Sequence, residues 1–194
     1  MTAQIHDSLL YEKKEYSIVA LSEPIPFAPQ DYGLEPHYRS TDCWRGYWCE
    51  YAIADGKLIL ADLPIFNQEG RYPVFNGVSI TENKERDGYR VYENVNLEIP
   101  FTGKILLGDG FMWDYYIHMG FQRPYAYKTL VELEFDDGEL QKATDQSAVA
   151  ERLRARDKID DGRGKTFDPL GFIHRSFSLD YGTKAWWLDA EDDW

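Results

Sequence analysis

The chain has 194 residues, 43% hydrophobic and 28% charged, a composition that excludes disorder and a length that can bury a core within one domain over residues 1–194. Its formal charge of −13, from 34 acidic and 21 basic residues, repels phosphate backbones and argues against nucleic acid as a partner. No stretch reaches the roughly 20 apolar residues that cross a bilayer, and MTAQIHDSLLYEKKEY lacks the charged start and apolar run of a secretory signal, so a cytoplasmic location is expected.

Aromatic residues make up 15%, including 14 Tyr and 6 Trp. That richness suits pleated, half-buried surfaces and tilts the expectation towards sheet, although the same residues are common at interaction surfaces. Residues 9–21, LLYEKKEYSIVAL, read as a hairpin turning near Lys13 and Lys14. Pro24, Pro26, Pro29 and Pro36 then rule out a central strand or helix interior, so 22–36 is an ordered loop pinned by Phe27, Tyr32 and Leu34.

Residues 41–63 give the clearest hairpin. Tyr47, Cys49, Tyr51 and Ile53 share one strand face, with Trp48, Glu50 and Ala52 on the other. Asp55-Gly56 is a preferred pair for a two-residue type I′ turn, in which both central residues need positive φ. Two cysteines make no disulfide framework. On one extended strand, Cys43 and Cys49 would be roughly 20 Å apart at about 3.3 Å per residue, too far for a bridge, so free thiols are expected.

Val78 and Ile80 predict a strand over 77–82, followed by a polar turn at 83–88. Residues 89–101 make one or two strands broken near Glu93 and Asn94, and 103–107 is a short apolar segment ended by Gly108-Asp109-Gly110. For 111–119 the periodicity leaves strand and helical turn both open. Residues 128–135 alternate cleanly, Thr129, Val131, Leu133 and Phe135 against Leu130, Glu132 and Glu134, and turn at Asp137-Gly138. A helix is predicted over 144–159, with Ala148, Val149, Leu153 and Ile159 as its apolar stripe and Asp145 or Ser147 as its cap. A late strand within 167–179 and the tail AWWLDAEDDW complete the chain, and the three tryptophans of that tail favour docking on the body.

The two Asp-Gly hairpins superpose in register at an offset of 82, matching apolar face, acidic face and turn. Register is what a sheet can least afford to shift, because a slip of one residue reverses every side chain. Either residues 9–63 and 90–142 are the halves of an internal duplication, or any two such hairpins look this similar.

Chemistry is harder to find. Cys43, Trp44 and Arg45 form the least ordinary run: Arg45 between aromatics would clamp an anion, with Cys43 as a nearby thiol. The structural alternative, Arg45 paired to an internal acid, Gly46 at a β-bulge and the aromatics in the core, is the favoured one. Asp114, His118 and Arg123, amid the tyrosines and tryptophan of 113–127, suit a polar aromatic pocket for a small polar or carbohydrate-like ligand. Glu132 and Glu134 are spaced like paired catalytic acids but read as a solvated face. The four histidines are dispersed, there is no CxxC, and no Gly-rich phosphate loop, GxSxG or HExxH motif occurs. No metal or cofactor is therefore expected.

On CWRGYWCEYAIADGKLIL and YYIHMGFQRPYAYKTLVELEF, the chain resembles a family of uncharacterised bacterial proteins with CWRGY and YxxHMGF-type segments. The resemblance covers about residues 9–140 and implies no named activity and no site residues. In size and acidity alone the chain also resembles the small acidic immunity proteins that neutralise antibacterial toxins. The expectation is an α+β fold, predominantly antiparallel β, with one C-terminal helix. The function expected is non-catalytic binding, as an immunity-type protein or inhibitor of a basic partner. The alternative is an enzyme or binder acting through 113–127.

Overall fold

The computed structural model describes residues 2–80, 85–157 and 179. Within them, β1 (Ser8–Tyr11) and β2 (Lys14–Leu21) form the N-terminal hairpin, turning through Glu12 and Lys13, both at positive φ. β3 (Glu50–Ala54) and β4 (Lys57–Ile65) follow, then β5 (Glu85–Arg86), β6 (Tyr89–Tyr92), β7 (Leu97–Glu98) and β8 (Gly103–Phe111). β9 (Tyr127–Asp136), β10 (Glu139–Asp145) and α1 (Ser147–Asp157) complete the described chain. The fold is β-rich α+β, and its strand pairings are antiparallel except β1 with β3.

Neighbouring strands run β10-β9-β8-β2-β1-β3-β4, and β4 continues to β6 and β5. β10 also meets β4 at Glu139 opposite Lys57, which closes the first seven strands into a ring. The closure is made by the two Asp-Gly turns. Leu58 N–H donates to the Gly138 carbonyl at 2.8 Å, and Leu140 N–H donates to the Gly56 carbonyl at 2.8 Å. These are equivalent residues in the two hairpins, exchanged reciprocally. Beyond the hairpins the likeness stops, because β3 pairs parallel with β1 whereas β9 pairs antiparallel with β8.

The ring strands supply much of the core, and Phe75, Tyr92 and Phe101 from outside the ring complete it. Leu9, Ile18, Tyr51, Leu58, Leu60, Ile105, Leu107, Leu133 and Phe135 belong to one buried cluster. A second core lies outside, between α1 and β2, β8 and β9, where Val19, Ala20, Leu106, Leu130, Ala150 and Leu153 meet. A shift of register between Ile18 and Ala20 lets one strand serve both: Ile18 points into the ring while Val19 and Ala20 both face the helix. An extra residue at a bulge has that effect.

Several expectations are corrected. The strand over 77–82 does not form in its described part; Phe75 and Val78 instead bridge a tight turn through Asn76 and Gly77. β8 runs on through Gly108, Asp109 and Gly110, which therefore do not end it. A Cβ at Gly108 would lie 2.7 Å from the Tyr127 ring and 2.9 Å from Val19, so this glycine permits close packing. The first strand of the main hairpin begins at Glu50, and Cys43 lies in the loop before it, so the two cysteines do not share a strand. Both are free and buried. Residues 144 and 145 belong to β10, not the helix, and Ala150 replaces the exposed Ala148 in the apolar stripe. Asp145 accepts from Ser147 N–H at 2.8 Å, while the Ser147 hydroxyl accepts from Leu130 N–H in the neighbouring strand. The segment 111–119 holds a single 3-10 turn, Trp113–Tyr115. Ile159, the tail, and all of the late strand except Leu179 lie outside the described residues; Leu179 accepts from Leu21 N–H at 2.9 Å.

Both turn glycines have φ near +80°, where an L-residue costs about 1 kcal/mol or more. Their surroundings differ. A Cβ at Gly56 meets nothing within 4 Å, whereas one at Gly138 would lie 2.5 Å from the Ile99 carbonyl. Gly56→Ala should cost about 1 kcal/mol and Gly138→Ala about 2–3 kcal/mol, read from urea unfolding midpoints.

Candidate functional site

The structure explains Arg45 without a ligand. Its guanidinium forks onto Asp7, Nη2 to Oδ1 at 2.8 Å and Nη1 to Oδ2 at 3.1 Å, and lies 5.0 Å from the Tyr47 ring centre. Asp7 is buried and also accepts from Cys49 N–H at 2.8 Å. Burial opposes the Arg45 charge, but Asp7 more than compensates and its pKa is raised. Gly46 is not at a bulge but ends the Cys43–Gly46 turn at positive φ, where a Cβ would collide with the His37 carbonyl. Cys43 packs with Trp48 and Tyr89, and burial pushes both cysteine thiols up, the opposite of an activated nucleophile. Trp44 is about half exposed beside this cluster.

The second group is divided between surface and interior. Asp114 and His118 are exposed whereas Arg123 is buried. The aromatics of the segment form a surface array instead. Trp113, 76% exposed, packs with Phe111 and Tyr116 at 5.3 and 5.5 Å between ring centres, and Tyr116 contacts His118 at 4.9 Å. Glu132 and Glu134 share Lys104, at 3.2 and 4.0 Å, on the outer face of the sheet. Among the described residues, no group of three or more His, Cys, Asp or Glu side chains is placed to hold a metal ion, and no helix is long and apolar enough to cross a membrane.

A concave site among the described residues lies elsewhere. A cleft of about 530 Å³ is lined by Arg39, Phe66, Asn67, Gln68, Gly70, Tyr72, Ile80, Gly88 and Arg90. None of the six residues singled out by sequence lines it. Arg39 is exposed, with its guanidinium carbon 4.9 Å from the Phe66 ring centre and 5.7 Å from that of Tyr89. Gly88 lies under the guanidinium, so a Cβ there would collide with Nη2. The rings and the glycine thus hold Arg39 in place, and no carboxylate is among its described partners.

The loop bearing Gln68 is rigidly built. Asn67 Oδ1 accepts from Glu69 and Arg71 N–H, its Nδ2 donates to the Glu35 carbonyl at 2.8 Å, and His37 Nδ1 accepts from Gln68 N–H. Asn67 is buried. Among the described residues lining the cleft, Arg39 presents a guanidinium with no carboxylate among its described partners, on a chain of net charge −13. Such a site attracts anions. In sequence, Asp87-Gly88 reads as an ordinary turn and Arg39 as a solitary charge, and nothing local brings them together.

Compared with known proteins, the chain matches no family model, no curated protein and no solved structure.

Asp7→Ala should destabilise the fold by about 3 kcal/mol, since it strands the Arg45 charge and the buried Cys49 amide; Arg45→Met should cost less, because Asp7 keeps Cys49. Denaturant unfolding compares the pair. His6, whose Nδ1 donates to the Ile18 carbonyl at 3.0 Å, is pushed down by burial from 6.5 to about 4. Between those values the unfolded chain binds the extra proton, so this contribution to stability falls as pH falls from about 6.5 towards 4. From pH 7 to pH 5 the loss should be about 2 kcal/mol, and a His6→Gln variant should show a correspondingly shallower pH slope.

Proposed function

We propose that this protein is a non-catalytic binding domain whose recognition element is the Arg39 cleft, a receptor for an anionic group. The observation that carries the reading is Arg39 itself. Phe66 and Tyr89 lie against the guanidinium, their ring centres 4.9 and 5.7 Å from its carbon, while no carboxylate is among its described partners, and a guanidinium N–H edge forks onto planar oxyanions. Because the rings and Gly88 already fix the side chain, little rotamer freedom is lost on binding. The contrast with Arg45, whose fork is filled by Asp7, supports a recognition role for Arg39. Catalysis lacks comparable support, since the buried thiols are shifted away from reactivity and Asp114, His118 and Arg123 line neither of the two described recesses.

A second reading rests on the aromatic array at Phe111, Trp113 and Tyr116. Its exposed ring faces would carry a flat polar ligand such as a sugar. The immunity-type reading, with a basic partner drawn to the acidic exterior, draws its support from the charge of −13. The reciprocal bonds between the Asp-Gly turns favour descent of the two hairpins from one duplicated unit, a separate proposal about origin.

The test of the leading reading is a thermal-shift titration with inorganic phosphate against chloride at matched ionic strength. Wild type should gain stability, about 1.4 kcal/mol at ten times Kd, and Arg39→Gln should lose most of that gain. An equal gain in both proteins would overturn the assignment.

A further inference from the structure

We infer that the ligand of the Arg39 cleft is a small organic acid, with one carboxylate or phosphate head on an aromatic or aliphatic body. The inference rests on the anion-receptor reading and names the ligand class. The cleft does not end at Arg39. A second recess of about 630 Å³, lined by Tyr38, Arg39, Ser40, Phe66 and Gln68, lies against the first, so that Arg39, Phe66 and Gln68 form a ridge common to both. Each space falls in the range of small-molecule sites and far exceeds what a bare oxyanion fills. On one side of the ridge are Tyr72 and Ile80, on the other Tyr38.

Charge at two scales narrows the ligand further. Close to the ridge the guanidinium edge attracts an oxyanion head. At longer range the net charge of −13 repels a polyanion, which carries many charges past an acidic exterior. A ligand with one or two charges meets that repulsion only weakly once salt screens beyond about 8 Å. Strong local attraction beside general repulsion selects a sparsely charged molecule whose affinity comes from its body. Tyr38, Phe66 and Ile80 provide the surface for that body, and Arg39 orients the head.

Isothermal titration calorimetry on the full chain tests this with 3-phenylpropionate, phenyl phosphate, acetate, inorganic phosphate and hexaglutamate. One or both phenyl compounds should bind at least about tenfold more tightly than the corresponding body-less anion and than hexaglutamate, and which one binds identifies the head group. Arg39→Gln should weaken that ligand about tenfold, and Gly88→Ala should do the same by displacing Arg39 while keeping every side-chain donor. Unchanged far-UV circular dichroism confirms that each variant is folded. Acetate or phosphate binding as tightly as its phenyl counterpart, or hexaglutamate binding most tightly, overturns the inference while leaving the anion-receptor reading in place. If no anion distinguishes wild type from Arg39→Gln, both fall.

Discussion

Two hydrogen bonds between turns hold this architecture closed. Leu58 donates to Gly138 and Leu140 to Gly56, and these bonds convert an open path of strands into a ring. The second side of β4 is otherwise taken by β7 and β6, so these turn-to-turn bonds are what tie the edge strand β10 to it. Closure also defines an interior. Side chains that alternate along each strand all find the same apolar core, so the period-2 pattern has a common destination. The register of the ring depends on two-residue turns at Asp55-Gly56 and Asp137-Gly138, whose positive φ values match the twist of the flanking strands.

Within that frame the molecule uses arginine beside aromatic rings in two different ways. Arg45 lies near Tyr47 and is satisfied by a buried carboxylate, which also holds the Cys49 amide at the entry to β3. It is part of the fold. Arg39 lies over Phe66 and Tyr89, with a glycine beneath it. Its described partners are aromatic rings and a backbone, with no hydrogen bond to a carboxylate among the described residues, so the directional capacity of the guanidinium stays with the cleft. Residue type and aromatic neighbours are alike in the two cases. What separates them is the presence of Asp7.

Legibility followed the range of the interactions. The hairpins at 9–21 and in the 41–63 region, the strand at 128–135 and the helix were readable because alternation and turn chemistry act over a few residues. Errors arose where a long-range contact overrode a local rule. Gly108 looked like a strand terminator but is small because Tyr127 and Val19 crowd it. Val78 and Ile80 looked like a strand but follow a turn bridged from Phe75. Cys43-Trp44-Arg45 drew notice for its composition, and the structure accounts for Arg45 and Cys43 through Asp7, Trp48 and Tyr89. The cleft escaped notice because Arg39, Phe66 and Gly88 are individually ordinary and belong to three separate segments.

The sequence by itself determined the β-rich class, the paired turns, the acidic surface and the amphipathic faces, since each is a property of composition or of short-range periodicity. Only the tertiary structure decided that the strands close into a ring, which arginine is neutralised and which faces solvent, and where a cavity forms. Those outcomes depend on which distant side chains meet. A carboxylate 38 residues from Arg45 fills its fork, whereas a glycine 49 residues from Arg39 leaves the space that its guanidinium occupies.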